Sequence, residues 1–189
     1  MFSDPHLAPR AANFQPLTPL DFLARTLAVH GHRPGVAWRE HKLSYAEFGR
    51  MVARMSAWLR GRGIGAGDVV SVMLTNRPEM LAAHFAVPAL GAVLNTINTR
   101  LEADEIAYIL DHAGSRLLIC ENATAPALAD PAVPVEHICS EKGAGDGLDF
   151  FTGDAPALDL LAGIQAETQP ISLNYTSGTT GRPKGVVYT

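Results

Sequence analysis

Apolar residues recur every three to four positions over two stretches near the N-terminus, then give way to short, nearly continuous apolar runs. Leu20, Leu23 and Leu27 fall on one side of a helix predicted over 20–30. Val36–Arg39 and Lys42–Leu43 flank a polar turn and predict a small hairpin. Ser44 followed three residues later by Glu47 is a capping-box pattern, and Phe48, Met51, Val52, Met55 and Leu59 form the apolar stripe of the helix it opens. Gly61, Gly63, Gly65 and Gly67 end that helix.

From Asp68 the period changes. Val69–Leu74 is an apolar run of the kind a strand buried on both faces carries. Asn76 and Pro78 open a helix expected to reach about Leu90, with Pro88 bending its last turn. Val93–Ile97 reads as a second strand, 102–113 as a second helix stopped by Gly114, and Arg116–Cys120 as a third strand. This βαβαβ alternation predicts an α/β fold built on a right-handed, parallel, doubly wound sheet. A further short strand is expected over Val135–Cys139, then a Gly-, Ala- and Asp-rich connector holding one short helix around Leu158–Ala162. Ile171, Leu173 and Tyr175 alternate with polar residues and predict a half-buried strand, and 185–189 a strand leaving the segment between them. The resulting organisation is an extended, proline-bearing arm over 1–19, an α/β unit over 20–140, a loop-rich connector over 141–169, and the start of a second unit, with an incomplete second sheet, over 170–189.

Composition narrows the function classes. Of the 189 residues, 47% are hydrophobic and 18% charged, as in a globular chain, and the net charge of −4 with dispersed cations argues against nucleic-acid binding. No apolar segment reaches the roughly 20 residues that span a bilayer and the N-terminus lacks a signal-peptide pattern, so a cytoplasmic location is expected. Cys120 and Cys139 have no metal-ligand or redox spacing and read as small core residues. The histidines at 30, 32, 41, 84, 112 and 137 are isolated and receive no role. Met51, Met55, Trp38 and Trp58 read as packing residues. Phe151-Thr152-Gly153-Asp154 reads as a turn.

The chemistry concentrates in Tyr175-Thr176-Ser177-Gly178-Thr179-Thr180-Gly181-Arg182-Pro183-Lys184-Gly185. A P-loop needs glycine directly before its lysine and a helix directly after. Here Pro183 precedes Lys184, and Gly185, Val186 and Val187 follow, which favours a strand. A strand-loop-strand arrangement can still hold phosphates through backbone N–H groups around glycine, the hydroxyls of Thr176, Ser177, Thr179 and Thr180, and the charge of Lys184, with Arg182 as a candidate second cation. Gly178 and Gly181 supply the freedom to close and release.

This run resembles the phosphate-binding signature of the adenylate-forming, AMP-binding superfamily, which includes acyl-CoA synthetases, luciferases and peptide-synthetase adenylation domains. Gly91–Leu101 with Glu105-Ile106 is similar to the matching stretch of fatty-acid and medium-chain acyl-CoA ligases, and Leu43–Phe48 to that family's first helix. The resemblance implies the N-terminal, parallel βαβαβ part of the adenylate-forming large domain. It implies a carboxylate, Mg-ATP and coenzyme A as the small molecules of the complete enzyme. A carboxylate attacks the α-phosphate to give acyl-adenylate and pyrophosphate, and the coenzyme A thiol then displaces AMP. Thr176, Ser177, Gly178, Thr179, Thr180, Gly181 and Lys184 would contact the β- and γ-phosphates, with the Thr176 hydroxyl nearest the metal-bridged oxygens. No catalytic residue or metal ligand is assigned.

The family usually continues beyond the position of Thr189 with a His-Arg pair, the adenine and ribose segments, the metal-binding glutamate, and a small domain carrying the adenylation lysine. The 189-residue polypeptide is therefore expected to be inactive by itself. An adenylation domain loading a carrier protein and a non-catalytic remnant are the alternatives. Unpaired strand edges near the C-terminus, and the arm, make a homodimer a further expectation. The acyl group is not readable from these residues.

Overall fold

A computed structural model describes residues 4–8, 10, 12, 14–121, 133–138, 147–176 and 181–189. Helix α1 (Pro19–His30) starts where Thr18 accepts from the Leu20 N–H and the Asp21 carboxylate accepts from the Thr18 N–H at 2.8 Å. Strands β1 (Pro34–Trp38) and β2 (His41–Ser44) pair antiparallel as the expected hairpin. Helix α2 (Tyr45–Gly61) follows directly, opened by the Ser44–Glu47 box, in which the Ser44 N–H donates to Glu47 at 2.7 Å.

Strands β3 (Val69–Met73), β4 (Val93–Thr96), β5 (Ser115–Glu121) and β6 (Val135–Ile138) pair parallel, and helices α3 (Pro78–Ala86) and α4 (Ala103–His112) make the β3–β4 and β4–β5 crossovers. Strands β7 (Ser172–Thr176) and β8 (Lys184–Tyr188) complete a six-stranded sheet of order β6-β5-β3-β4-β7-β8. The α/β class and the parallel βαβαβ run stand as read from the sequence. The second sheet does not: β7 pairs parallel with β4, Leu94↔Ser172 to Thr96↔Asn174, and β8 folds back antiparallel on β7. The β4 edge offers unpaired backbone groups in register with β7, so the hairpin extends the existing sheet instead of founding another.

Strand β3 separates two cores. Val70 and Val72 face α2 and α3, meeting Phe48, Met51, Met55, Leu59, Ala82 and Ala86, and α1 packs outside against α2. Met73, with Leu118 and Cys120 of β5, faces Ile106, Ile109 and Leu110 of α4. Alternate residues of one strand serve both faces, which explains the unbroken apolar run. Trp58 packs edge-on to Phe150, and Trp38 stacks with Phe151. No helix among the described residues is long and apolar enough to cross a membrane.

Two local expectations are corrected. Helix α3 ends at Ala86 and Pro88–Leu90 form a separate 3-10 turn, because proline lacks the N–H and its ring clashes with the carbonyl of the preceding turn. The helix expected over 158–162 is a turn, in which Asp159 accepts from the Leu161 N–H at 2.9 Å. So short a segment, bracketed by Pro156 and Gly163, cannot nucleate a helix, and its Leu160 is buried against the α2 and α3 core without one. Arg54 ties the next-door turn to α2, donating to the carbonyls of Phe150 and Phe151 at 2.8 Å each and of Gly153 at 3.0 Å. The Thr152-Gly153-Asp154 run is thus a structural turn. Cys139, the last residue of one expected strand, lies outside the described residues.

Backbone contact between two loops fixes the amino end of the sheet. A Cβ on Gly163 would lie 2.3 Å from Gly91 N and 2.5 Å from the Ala89 carbonyl oxygen. Gly163→Ala should therefore destabilise the chain by about 2 kcal/mol or more in urea unfolding, as overpacking against rigid backbone does. Gly61→Ala, at a helical position with open space around it, should be neutral or stabilising by about 0.5 kcal/mol.

Asp68, just before β3, accepts from the Gly65 N–H and from Arg116 at 2.8 Å each. Burial pushes its carboxyl up, but these hydrogen bonds and the Arg116 charge outweigh it and hold the group below its usual value. The depressed value makes this contribution full above the unfolded carboxylate pKa of about 3.9 and lost as pH falls through the folded value. The stability difference between wild type and Asp68→Asn, measured by urea melts, should shrink from neutral pH to the acid side of that range.

Candidate phosphate site

The parallel strands all direct their carboxyl ends to one edge of the sheet, the edge at which open α/β sheets receive ligands. The β7–β8 hairpin turns back at that same edge, since β7 ends there at Thr176 and β8 leaves it from Lys184. Its last bridged pair is Thr176↔Lys184. Directly opposed residues of an antiparallel ladder share a face, so the Thr176 hydroxyl and the Lys184 ammonium emerge side by side. Both residues are exposed, and among the described residues Lys184 has no ion-pair partner. Strand, loop and strand replace the strand, loop and helix of a P-loop, as Pro183 and the β-branched residues predict. Of the remaining expected phosphate ligands, Gly181 is described and has open space around its Cα, while Ser177, Gly178, Thr179 and Thr180 lie outside the described residues.

The alternation that exposes Thr176 turns Tyr175 to the opposite face, toward α4. The Tyr175 hydroxyl lies 2.7 Å from His112 Nδ1 and the two rings meet edge-on at 5.8 Å. Burial, with a smaller contribution from nearby Tyr108, holds the Tyr175 phenol above its usual pKa, so it stays protonated. Gly185, its cross-strand partner, is where a side chain would collide: a Cβ there would sit 3.0 Å from Leu173 Cδ1 and 3.4 Å from the Tyr175 ring. Tyr108 stands one helical turn before His112 with ring centroids 5.3 Å apart, and the Arg182 guanidinium lies 5.0 Å from the Tyr108 centroid. Isolated histidine and tyrosine on a helix gave no signal in the sequence. Their pairing with loop residues becomes visible only once α4 and β7 are placed on the same face.

Arg77, Glu79 and Glu121, at this same edge, are committed to one another. Arg77 grips both oxygens of Glu79 at 2.8 and 2.6 Å, both side chains being 2% exposed, and approaches Glu121 at 3.6 Å. Burial opposes the Arg77 charge, but Glu79 and Glu121 more than offset it and hold its pKa above the usual value. Glu121 also accepts from the Thr75 N–H at 3.0 Å and hydroxyl at 2.6 Å. This network ties the ends of β3 and β5 together. Lys184 lies outside this network, on the Thr176 side of the hairpin.

The chain is 35% identical over 201 residues to 2-methylpropanoate–CoA ligase of Humulus lupulus, covering 96% of this chain and 36% of that protein. It is 37% identical over 198 residues to the peroxisomal benzoate–CoA ligase of Arabidopsis thaliana, covering 93% of this chain and 34% of that protein. It thus spans 34–36% of the length of these relatives. Among solved structures, O-succinylbenzoate coenzyme A synthetase from Bacillus subtilis, in complex with AMP, superposes with a TM-score of 0.71 at 26% identity, covering 91% of this chain and 42% of that one. Residues 23–189 match the family described as AMP-binding enzyme, which takes in the whole α/β sheet and its terminal hairpin, and the chain belongs to that family.

Proposed function

We propose that the chain is the N-terminal part of an AMP-forming carboxylate–CoA ligase and that its own contribution is to grip the outer phosphates of ATP. In the complete reaction a carboxylate oxygen attacks the α-phosphate, pyrophosphate leaves, and the coenzyme A thiolate then displaces AMP from the acyl-adenylate. The observation that carries the reading is the Thr176↔Lys184 pair, which closes the hairpin at the carboxyl edge with a hydroxyl and an exposed ammonium on one face. Both relatives described above are named as CoA ligases, which favours coenzyme A over a carrier protein as acceptor.

Displacement at phosphorus asks the protein mainly for positioning and charge stabilisation. Lys184 supplies a point charge that follows a phosphate oxygen as pyrophosphate departs, and hydroxyl donors rotate to fit a tetrahedral group. The residues present suit magnesium only as ATP carries it: the Thr176 hydroxyl is a hard oxygen donor, and among the described residues no cluster of acidic, histidine or cysteine side chains would hold the ion by itself. When bound, the ion neutralises charge across the phosphates.

Calorimetry on the 189-residue chain tests the assignment. ATP and inorganic tripolyphosphate should bind with similar affinity, because the grip is on phosphate. Lys184→Ala should weaken both about tenfold, the loss of one charge-assisted contact. Carboxylate-dependent exchange of pyrophosphate into ATP should be absent. Equal binding by wild type and Lys184→Ala would contradict the phosphate assignment, and exchange activity would contradict the assignment of this chain as a partial enzyme.

A further inference from the structure

The residues flanking the closing pair of the hairpin, Tyr175 before Thr176 and Arg182 two before Lys184, both reach α4, and they reach it one turn apart. Tyr175 meets His112 through a hydroxyl-to-imidazole contact of 2.7 Å, and Arg182 lies over Tyr108. Tyr108 and His112 are spaced i, i+4, so they share a helix face and their rings are in contact. A cleft of about 490 Å³ beside them is lined by Asp104, Glu105, Tyr108, Asp111, Arg182 and Pro183.

We propose that Tyr108 and His112 are positioning residues for Thr176 and Lys184, and that Arg182 docks the approach to β8 on α4 and is not a phosphate ligand. This rests on the phosphate-grip reading of the preceding section. Adjacent residues of a strand point to opposite faces, so holding Tyr175 on His112 decides which face Thr176 and Lys184 present. Holding Arg182 on Tyr108 restrains the second limb immediately before Lys184. Ordering the two hairpin ends around an anion costs conformational freedom, and restraining them beforehand lowers that cost. The carboxylates in the cleft favour the guanidinium where it lies and repel phosphate there. The anion is thereby directed to Lys184 on the other face.

Tripolyphosphate binding by the 189-residue chain, measured by calorimetry at two salt concentrations, separates docking from ligation. Tyr108→Leu should weaken binding about fivefold, the cost of lost preorganisation, and Tyr108→Phe, which keeps the ring under the guanidinium, should bind like wild type. Arg182→Ala should weaken binding by the same factor as Tyr108→Leu, and the double variant should be no weaker than either, with the salt dependence unchanged. Tyr175→Phe should shift the side-chain ¹⁵N resonance of His112 Nδ1, a signal that mere loss of stability does not move. The proposal is overturned if Tyr108→Leu binds as tightly as wild type. It is equally overturned if Arg182→Ala reduces the salt dependence and adds to Tyr108→Leu, which would make Arg182 a phosphate ligand. If wild type itself binds no tripolyphosphate, the phosphate-grip reading fails and this proposal fails with it. If wild type binds and only the Tyr108 and Arg182 series is flat, the positioning proposal alone is lost.

Discussion

The placement of the β7–β8 hairpin depends on one set of backbone hydrogen bonds, those between β4 and β7. The Leu94 N–H donates to the Ile171 carbonyl at 3.0 Å, and the ladder then runs through Asn95↔Leu173 to Thr96↔Asn174. Side chains of a strand alternate, so a slip of one residue would exchange Tyr175 with Thr176, taking the phenol from His112 and turning the Thr176 hydroxyl toward the helix. The register is reinforced by side chains: the Thr96 hydroxyl bonds Asn174, and Asn174 donates to Ser172 at 3.2 Å. Because β4 pairs on its other side with β3, which is buried between two cores, the hairpin is anchored to the interior of the sheet.

Charge at the carboxyl edge is arranged consistently with that placement. Arg77, Glu79 and Glu121 satisfy one another at the ends of β3 and β5, with Glu79 and Arg77 almost wholly buried. A buried pair of this kind is costly to break because either partner left alone is an uncompensated charge. It therefore serves to hold two strand ends in place and has no charge to spare for a ligand. Arg182 is likewise occupied, over Tyr108. Lys184 is exposed at the start of β8 with no ion-pair partner among the described residues, and an ammonium point charge there suits the proposed grip on an anion that arrives, changes shape and leaves.

Much of this was legible in the chain where a local rule has no competitor. The Ser44–Glu47 box opens α2, Gly114 takes a φ of +62° beyond the end of α4, and Pro183 with Val186 and Val187 rules out a P-loop helix. The readings that needed correction were those decided by tertiary contact. Whether Ile171–Tyr175 joins the first sheet or founds a second depends on a free edge of β4 that sequence does not display. Leu158–Ala162 has apolar residues enough for a helix, yet burial of Leu160 in a turn satisfies them. At the candidate site, the hydroxyl, glycine and lysine pattern is marked in the sequence itself, whereas Tyr108 and His112 carry no motif and gain meaning only from facing Tyr175 and Arg182.

The central claim is that the hairpin, held by β4, presents Thr176 and Lys184 to phosphate at the carboxyl edge of the sheet. A ¹H–¹⁵N correlation spectrum of the chain titrated with ATP tests it most directly. The largest amide shifts should fall on residues 176–185, with smaller ones at the carboxyl ends of β3, β4 and β5 and none on α1. Shifts centred instead on the amino end of the sheet or on the cleft between Trp38 and His84, with Thr176 and Lys184 unmoved, would contradict it.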